Sequence, residues 1–119
     1  MKNLVQKAAG IMALAICSIV PVAPHALASN GGPGTISFIN ALKFGRIIFT
    51  HSGTRTGTLP SCATATTKWA LDVSTPDGHA QLSVLLTAYS LQKPISVIGA
   101  GDCSVFGDTE SISYFYISD

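Results

Sequence analysis

The chain has 119 residues, of which 11% are charged, and seven Lys and Arg against six Asp and Glu leave a formal charge of +1. That length supports one small domain and not two. Lys2 and Lys7 stand in an apolar leader, so the remainder carries five scattered cations (Lys43, Arg46, Arg55, Lys68, Lys93) against six acids and a formal charge of −1. With no basic surface to track phosphates, no nucleic acid partner is expected.

Residues 1–28 read as a signal peptide. Lys2 and Lys7 form a positive start, Ala8 to about Val20 an apolar stretch, Pro21 and Pro24 a break, and Ala26-Leu27-Ala28 a small-x-small cleavage site before Ser29. The apolar run is short for a bilayer span, so no membrane span is expected after cleavage. Cys17 lies within it, and Ile16 stands where a lipoprotein signal requires a small residue. The expected product starts at Ser29, about 91 residues long, and is exported to the periplasm or secreted. Cys62 and Cys103 remain, and an even pair in a small exported domain reads as a disulfide. The competing reading of the pair, metal-ligating or redox thiols, lacks a C-x-x-C and a matching His spacing. No metal and no cofactor are expected.

Ser29 to Gly34 (Ser-Asn-Gly-Gly-Pro-Gly) reads as a flexible leader to a single domain over residues 35–119. Ile36 and Phe38 alternate with Ser37 and Ile39 in a first strand, and Arg46-Ile47-Ile48-Phe49-Thr50 forms a second across a turn at Lys43-Phe44-Gly45. His51 to Pro60 has the Gly, Pro and Thr content of a surface loop. A third strand spans about Thr66 to Val73, with Trp69, Leu71 and Val73 on one face. Thr75 as N-cap, Pro76 at the first position and Asp77 in the first turn predict a helix running to about Leu91, stopped at Lys93-Pro94. Its polar stripe is only Ser83, Thr87 and Ser90. So apolar a helix is either wedged between sheet and loops or shared with another subunit. Ile95 to Ile98 and Ser111 to Ile117 are the last strands; large residues on both sides of the last one suggest a central position. The order β-β-β-α-β-β, mainly β with one helix (α+β), is that of an OB-like five-stranded barrel.

No catalytic motif stands out. His51 and His79 could be drawn into a triad with Ser52, Ser104 or Ser111, but no G-x-S-x-G is present and both histidines read as solvated. Asp108 and Glu110, two apart, would face one side of a strand, as a hydrolytic pair, as ligands for a hard cation, or as a polar lead-in to the last strand. Gly99-Ala100-Gly101 lacks the third glycine and the helix of a dinucleotide loop. Trp69, Tyr89, Tyr114 and Tyr116 are candidates for stacking on a sugar, or for the core.

A cysteine after a Thr/Ser-rich loop, the Trp69 strand, the helix ending Leu82 to Leu91, then Gln92-Lys93-Pro94-Ile95-Ser96-Val97 and the second cysteine form a pattern over about Ser61 to Cys103. It resembles small exported bacterial disulfide-containing OB-fold proteins and the binding subunits of subtilase-cytotoxin and pertussis-type toxins. The resemblance implies an exported, non-enzymatic binding module, an oligomer that recognises a glycan or a protein receptor. It carries no pocket residue across, so binding residues stay unassigned. The alternatives are a secreted inhibitor of a hydrolase and a small secreted hydrolase using Asp108, Glu110 or His51.

Overall fold

The computed structural model describes residues 27–119; of the expected leader only Leu27 and Ala28 fall within it, and residues 1–26, Cys17 included, lie outside the described residues. The described residues form β1 (Ser29–Gly34), β2 (Ile36–Leu42), β3 (Arg46–His51), β4 (Arg55–Gly57), β5 (Lys68–Asp72), α1 (Pro76–Leu91), β6 (Ile95–Gly99) and β7 (Ile112–Ile117). The mainly β, one-helix architecture is as expected. The single five-stranded barrel is not. Seven strands make two antiparallel sheets, β4-β1-β6-β7 and β2-β3-β5. The chain crosses between them at Thr35, and they meet again at one parallel bridge, Ala70 with Ser111, which does not extend into a closing ladder.

The two extra strands are segments expected to be irregular. Ser29–Gly34, expected to be a flexible leader, is β1, in the middle of the four-stranded sheet between β4 and β6. Its glycines allow close approach. A Cβ on Gly31 would lie 2.9 Å from His51 Nδ1, and one on Gly34 would collide with the Gly53 backbone. β4, from the expected surface loop, pairs Arg55, Thr56 and Gly57 with Gly31, Asn30 and Ser29.

The β2–β3 hairpin turns as expected, with positive φ at Phe44 (65°) and Gly45 (68°). Its alternation is broken once. A register shift between Ile36 and Phe38 reverses the phase, so Ile36 is buried, Phe38 is exposed and Ile39 packs on the core. Helix α1 matches its signals: the Thr75 side chain accepts from Gly78 N at 3.1 Å, and Gln92 caps the other end with φ of 51°. Leu85 and Ala88 enter a core of Ile36, Ile47, Phe49, Trp69, Leu71, Ile95 and Val97. Val84, Leu86, Tyr89 and Leu91 stay exposed. β7 is an edge strand, contrary to the central position expected; its large residues divide between Phe115, packed edge-on against Phe49, and the exposed tyrosines of its other face.

Candidate functional site

The outward face of the four-stranded sheet is fixed by register. Thr56 lies opposite Asn30, Asn30 opposite Ile98, and Ile98 opposite Tyr114, a row of four residues across β4, β1, β6 and β7. Directly opposed residues point to the same side, so this row shares one face. Tyr116, two along from Tyr114, extends that face beside Ser96. Tyr114 is 53% and Tyr116 52% exposed, and Asn30 and Thr56 are exposed as well. The face therefore offers two phenol rings, an amide and a hydroxyl to solvent. Trp69 is excluded from any such role: it is 1% exposed and faces the core, with the Arg55 guanidinium 3.6 Å over its ring.

Beneath the opposite face lies a buried polar cluster. Glu110, fully enclosed, accepts from Ser29 N (3.0 Å), the Ser29 hydroxyl, Arg55 Nη1 (2.8 Å) and Gly101 N (3.2 Å). Arg55 also donates to the carbonyls of Thr66 (2.8 Å) and Lys68 (2.7 Å) and to the Ser29 hydroxyl. Burial pulls the Arg55 guanidinium below its usual range, and the Glu110 charge and hydrogen bond oppose that shift. The Glu110 carbonyl meanwhile accepts from Ala70 N on the free edge of β5. One residue thus joins β1, β4, β5 and the loop after β6. It is a tie within the fold.

The expected catalytic candidates do not assemble. Asp108 is exposed and bonded to the Thr109 hydroxyl, while Glu110 is enclosed, so the two acids do not face one side; they precede β7 and its alternation does not apply to them. Ser52 accepts from Thr35 N, Ser104 donates to Asp102, and Ser111 accepts from Val105 N. Among the described residues, no hydrogen bond joins these hydroxyls to a histidine. The Ser104 bonds hold the Asp102 carboxyl below its usual range, as those of Ser74 do for Asp72. His79 is exposed in the first turns of α1. No three His, Cys, Asp or Glu side chains gather as metal ligands would among the described residues.

His51 is not the solvated residue expected. It is 2% exposed, its Nε2 donates to the Ile95 carbonyl at 2.9 Å, and its Nδ1 has no hydrogen-bond partner. Ile47, Phe49 and His51 alternate on one face of β3, a period that would have placed the ring inward. Burial lowers its pKa from 6.5, outweighing the hydrogen bond to the Ile95 carbonyl, which favours the charged ring; the nearby Arg55 charge adds to the lowering. A depressed histidine pKa leaves the unfolded chain binding more protons below pH 6.5. Stability should therefore be complete above that pH and fall as acid brings the buried ring towards protonation. Chemical denaturation between pH 7.5 and 5.5 is expected to show this loss in the wild type and a flatter profile in His51→Gln. Parallel profiles would assign the loss to other groups.

Cys62 and Cys103 form the expected disulfide, with Cα atoms 6.2 Å apart. Beside it lies a cleft of about 500 Å³ lined by Leu27, Thr58, Leu59, Pro60, Asp102 and the bridge itself. A smaller one of about 280 Å³ lies between Asn40, Ile48, Lys68, Phe106 and Asp108. Neither gathers a catalytic set. No helix among the described residues is long and apolar enough to cross a membrane. Comparison with protein-family models, with curated proteins and with solved structures finds no match, so the resemblance to toxin binding subunits gains no support there.

Proposed function

We propose that this chain is an exported, non-enzymatic binding module that recognises a glycan through the outer face of its four-stranded sheet. The observation that carries the reading is the exposed row Thr56, Asn30, Ile98 and Tyr114 with Tyr116 beside it. Exposed phenol rings supply flat apolar faces for the C–H side of a sugar, and their hydroxyls, with the Asn30 amide and Thr56 hydroxyl, supply donors and acceptors for its polar rim. The formal charge of −1 from Ser29 onward suits a neutral ligand better than a polyanion. Export accords with the leader pattern and with the disulfide. Self-association, as an oligomer, has two surfaces available to it: the open edge of β7 and the exposed Val84, Leu86 and Leu91 of α1.

The test is amide chemical-shift mapping of the oxidised protein against pooled oligosaccharides. Shifts clustered on Asn30, Thr56, Ile98, Tyr114 and Tyr116 are the expected result. Shifts confined to the cleft beside Cys62 and Cys103, or none at millimolar sugar, would overturn the assignment of this face.

A further inference from the structure

Ser29 is the residue before which the leader is expected to be cut, and it is also the first residue of β1, the first element among the described residues. Its main-chain N–H donates to Glu110 Oε1 at 3.0 Å and its hydroxyl bonds Glu110 Oε2. Both residues are fully enclosed, whereas Ala28 is half-buried and Leu27 is 62% exposed, so the chain reaches the surface within two residues. The two carboxylate oxygens are used unequally. Oε2 meets the Arg55 guanidinium, while Oε1 meets only the main-chain N–H groups of Ser29 and Gly101. Arg55 in turn spends part of its charge on two carbonyls and on the Trp69 ring. Gly99 keeps the space clear, since a Cβ there would collide with Glu110 Oε1 and lie 2.5 Å from Ser29 O.

We infer that cleavage of the Ala28–Ser29 bond creates an α-ammonium that pairs with Glu110 Oε1, so that leader removal itself locks β1 into the fold. In that hydrolysis a leader endopeptidase adds water across the peptide. The C–N bond breaks, the water oxygen leaves on Ala28 as part of a carboxylate, and the Ser29 nitrogen departs with the electron pair and takes up both hydrogens of water. The neutral N–H to carboxylate bond becomes an ammonium–carboxylate bond in the same place, and bonds with charge on both partners are the stronger kind. Departure of Ala28 opens the nitrogen to water on its outer side, which limits the cost of burying a second cation. The inference depends on cleavage before Ser29 and is independent of the ligand.

The first experiment is to export the full chain from a bacterium and read the N-terminus by mass spectrometry. A start at Ser29 is expected; any other start, or an uncut chain, overturns the inference. The second compares melting of a protein beginning at Ser29 with one beginning at Leu27, each as wild type and as Glu110→Gln. The Ser29 form should melt higher by at least about 4 °C at pH 7, and the gap should vanish in Glu110→Gln. Equal melting of the wild-type pair, or a gap that survives Glu110→Gln, overturns it. Should Glu110→Gln fail to fold, pH decides. The groups facing the amine are Glu110 and Arg55, and a free α-amine loses its proton near pH ~8. A paired amine contributes fully below that pH, and its contribution is lost at higher pH as it deprotonates. The gap must therefore close in strong alkali; a gap constant from pH 7 to 11 overturns the inference.

Discussion

Glu110→Ala is expected to destabilise the domain by about 3–5 kcal/mol, the usual cost of removing one partner from a buried ion pair. The substitution leaves Arg55 Nη1 without its anion and strips Ser29 N, the Ser29 hydroxyl and Gly101 N of their common acceptor. Domains of this size are stable by only about 5–15 kcal/mol, so a loss of that order approaches unfolding. Urea denaturation of Glu110→Ala, Arg55→Met and the double variant separates the causes. The double variant should lose less than the two single losses combined, because no unpaired charge remains. A loss below about 1 kcal/mol for Glu110→Ala would mean that the cluster is solvated and does not tie the sheets.

Breaking the disulfide should cost about 2–5 kcal/mol. Cys62 and Cys103 are 41 residues apart, and closing a loop of that length restricts the unfolded chain by about 4 kcal/mol in the chain-entropy view. The bridge spans the segment that contains β5, α1 and β6, so its loss frees the two loops that border the larger cleft. Cys62→Ala, Cys103→Ala and the reduced wild type should melt alike and well below the oxidised protein. If the single variants match the oxidised protein, the bridge is not a structural one.

Helix α1 was legible because Thr75, Pro76 and Asp77 act locally, each on the helix's own first turn. The β2–β3 hairpin, β5, β6 and the disulfide were legible for the same reason: local alternation, turn chemistry and cysteine parity do not depend on distant residues. β1 was not. Ser-Asn-Gly-Gly-Pro-Gly has no strand propensity, and what makes it a strand is remote: Glu110 holding Ser29, β4 and β6 pairing on either side, and glycines allowing the approach to His51 and Gly53. The partnership of Arg55 with Glu110 was hidden similarly, because two charged residues 55 apart in segments that read as loops carry no pattern that announces burial. The bulge between Ile36 and Phe38 reversed an alternation that sequence alone read as continuous. At the candidate site the tyrosines were visible on their strand, but Asn30 and Thr56 joined them only through pairings of strands that the sequence did not declare.

The same topology that exposes β7 as an edge leaves its outer face unpacked. Phe115 completes the core on one side, and Tyr114 and Tyr116 are left to solvent on the other. Rings held on a paired strand lose little further freedom on binding, which favours their use as a recognition surface. The direct measurement is a glycan array probed with oxidised protein beginning at Ser29, beside a Tyr114→Ala/Tyr116→Ala variant whose melting matches the wild type. Recognition through this face requires a defined set of bound glycans for the wild type and at least about tenfold weaker binding for the variant, the factor that 1.4 kcal/mol makes. An array without signal, or binding unchanged in the variant, would contradict it.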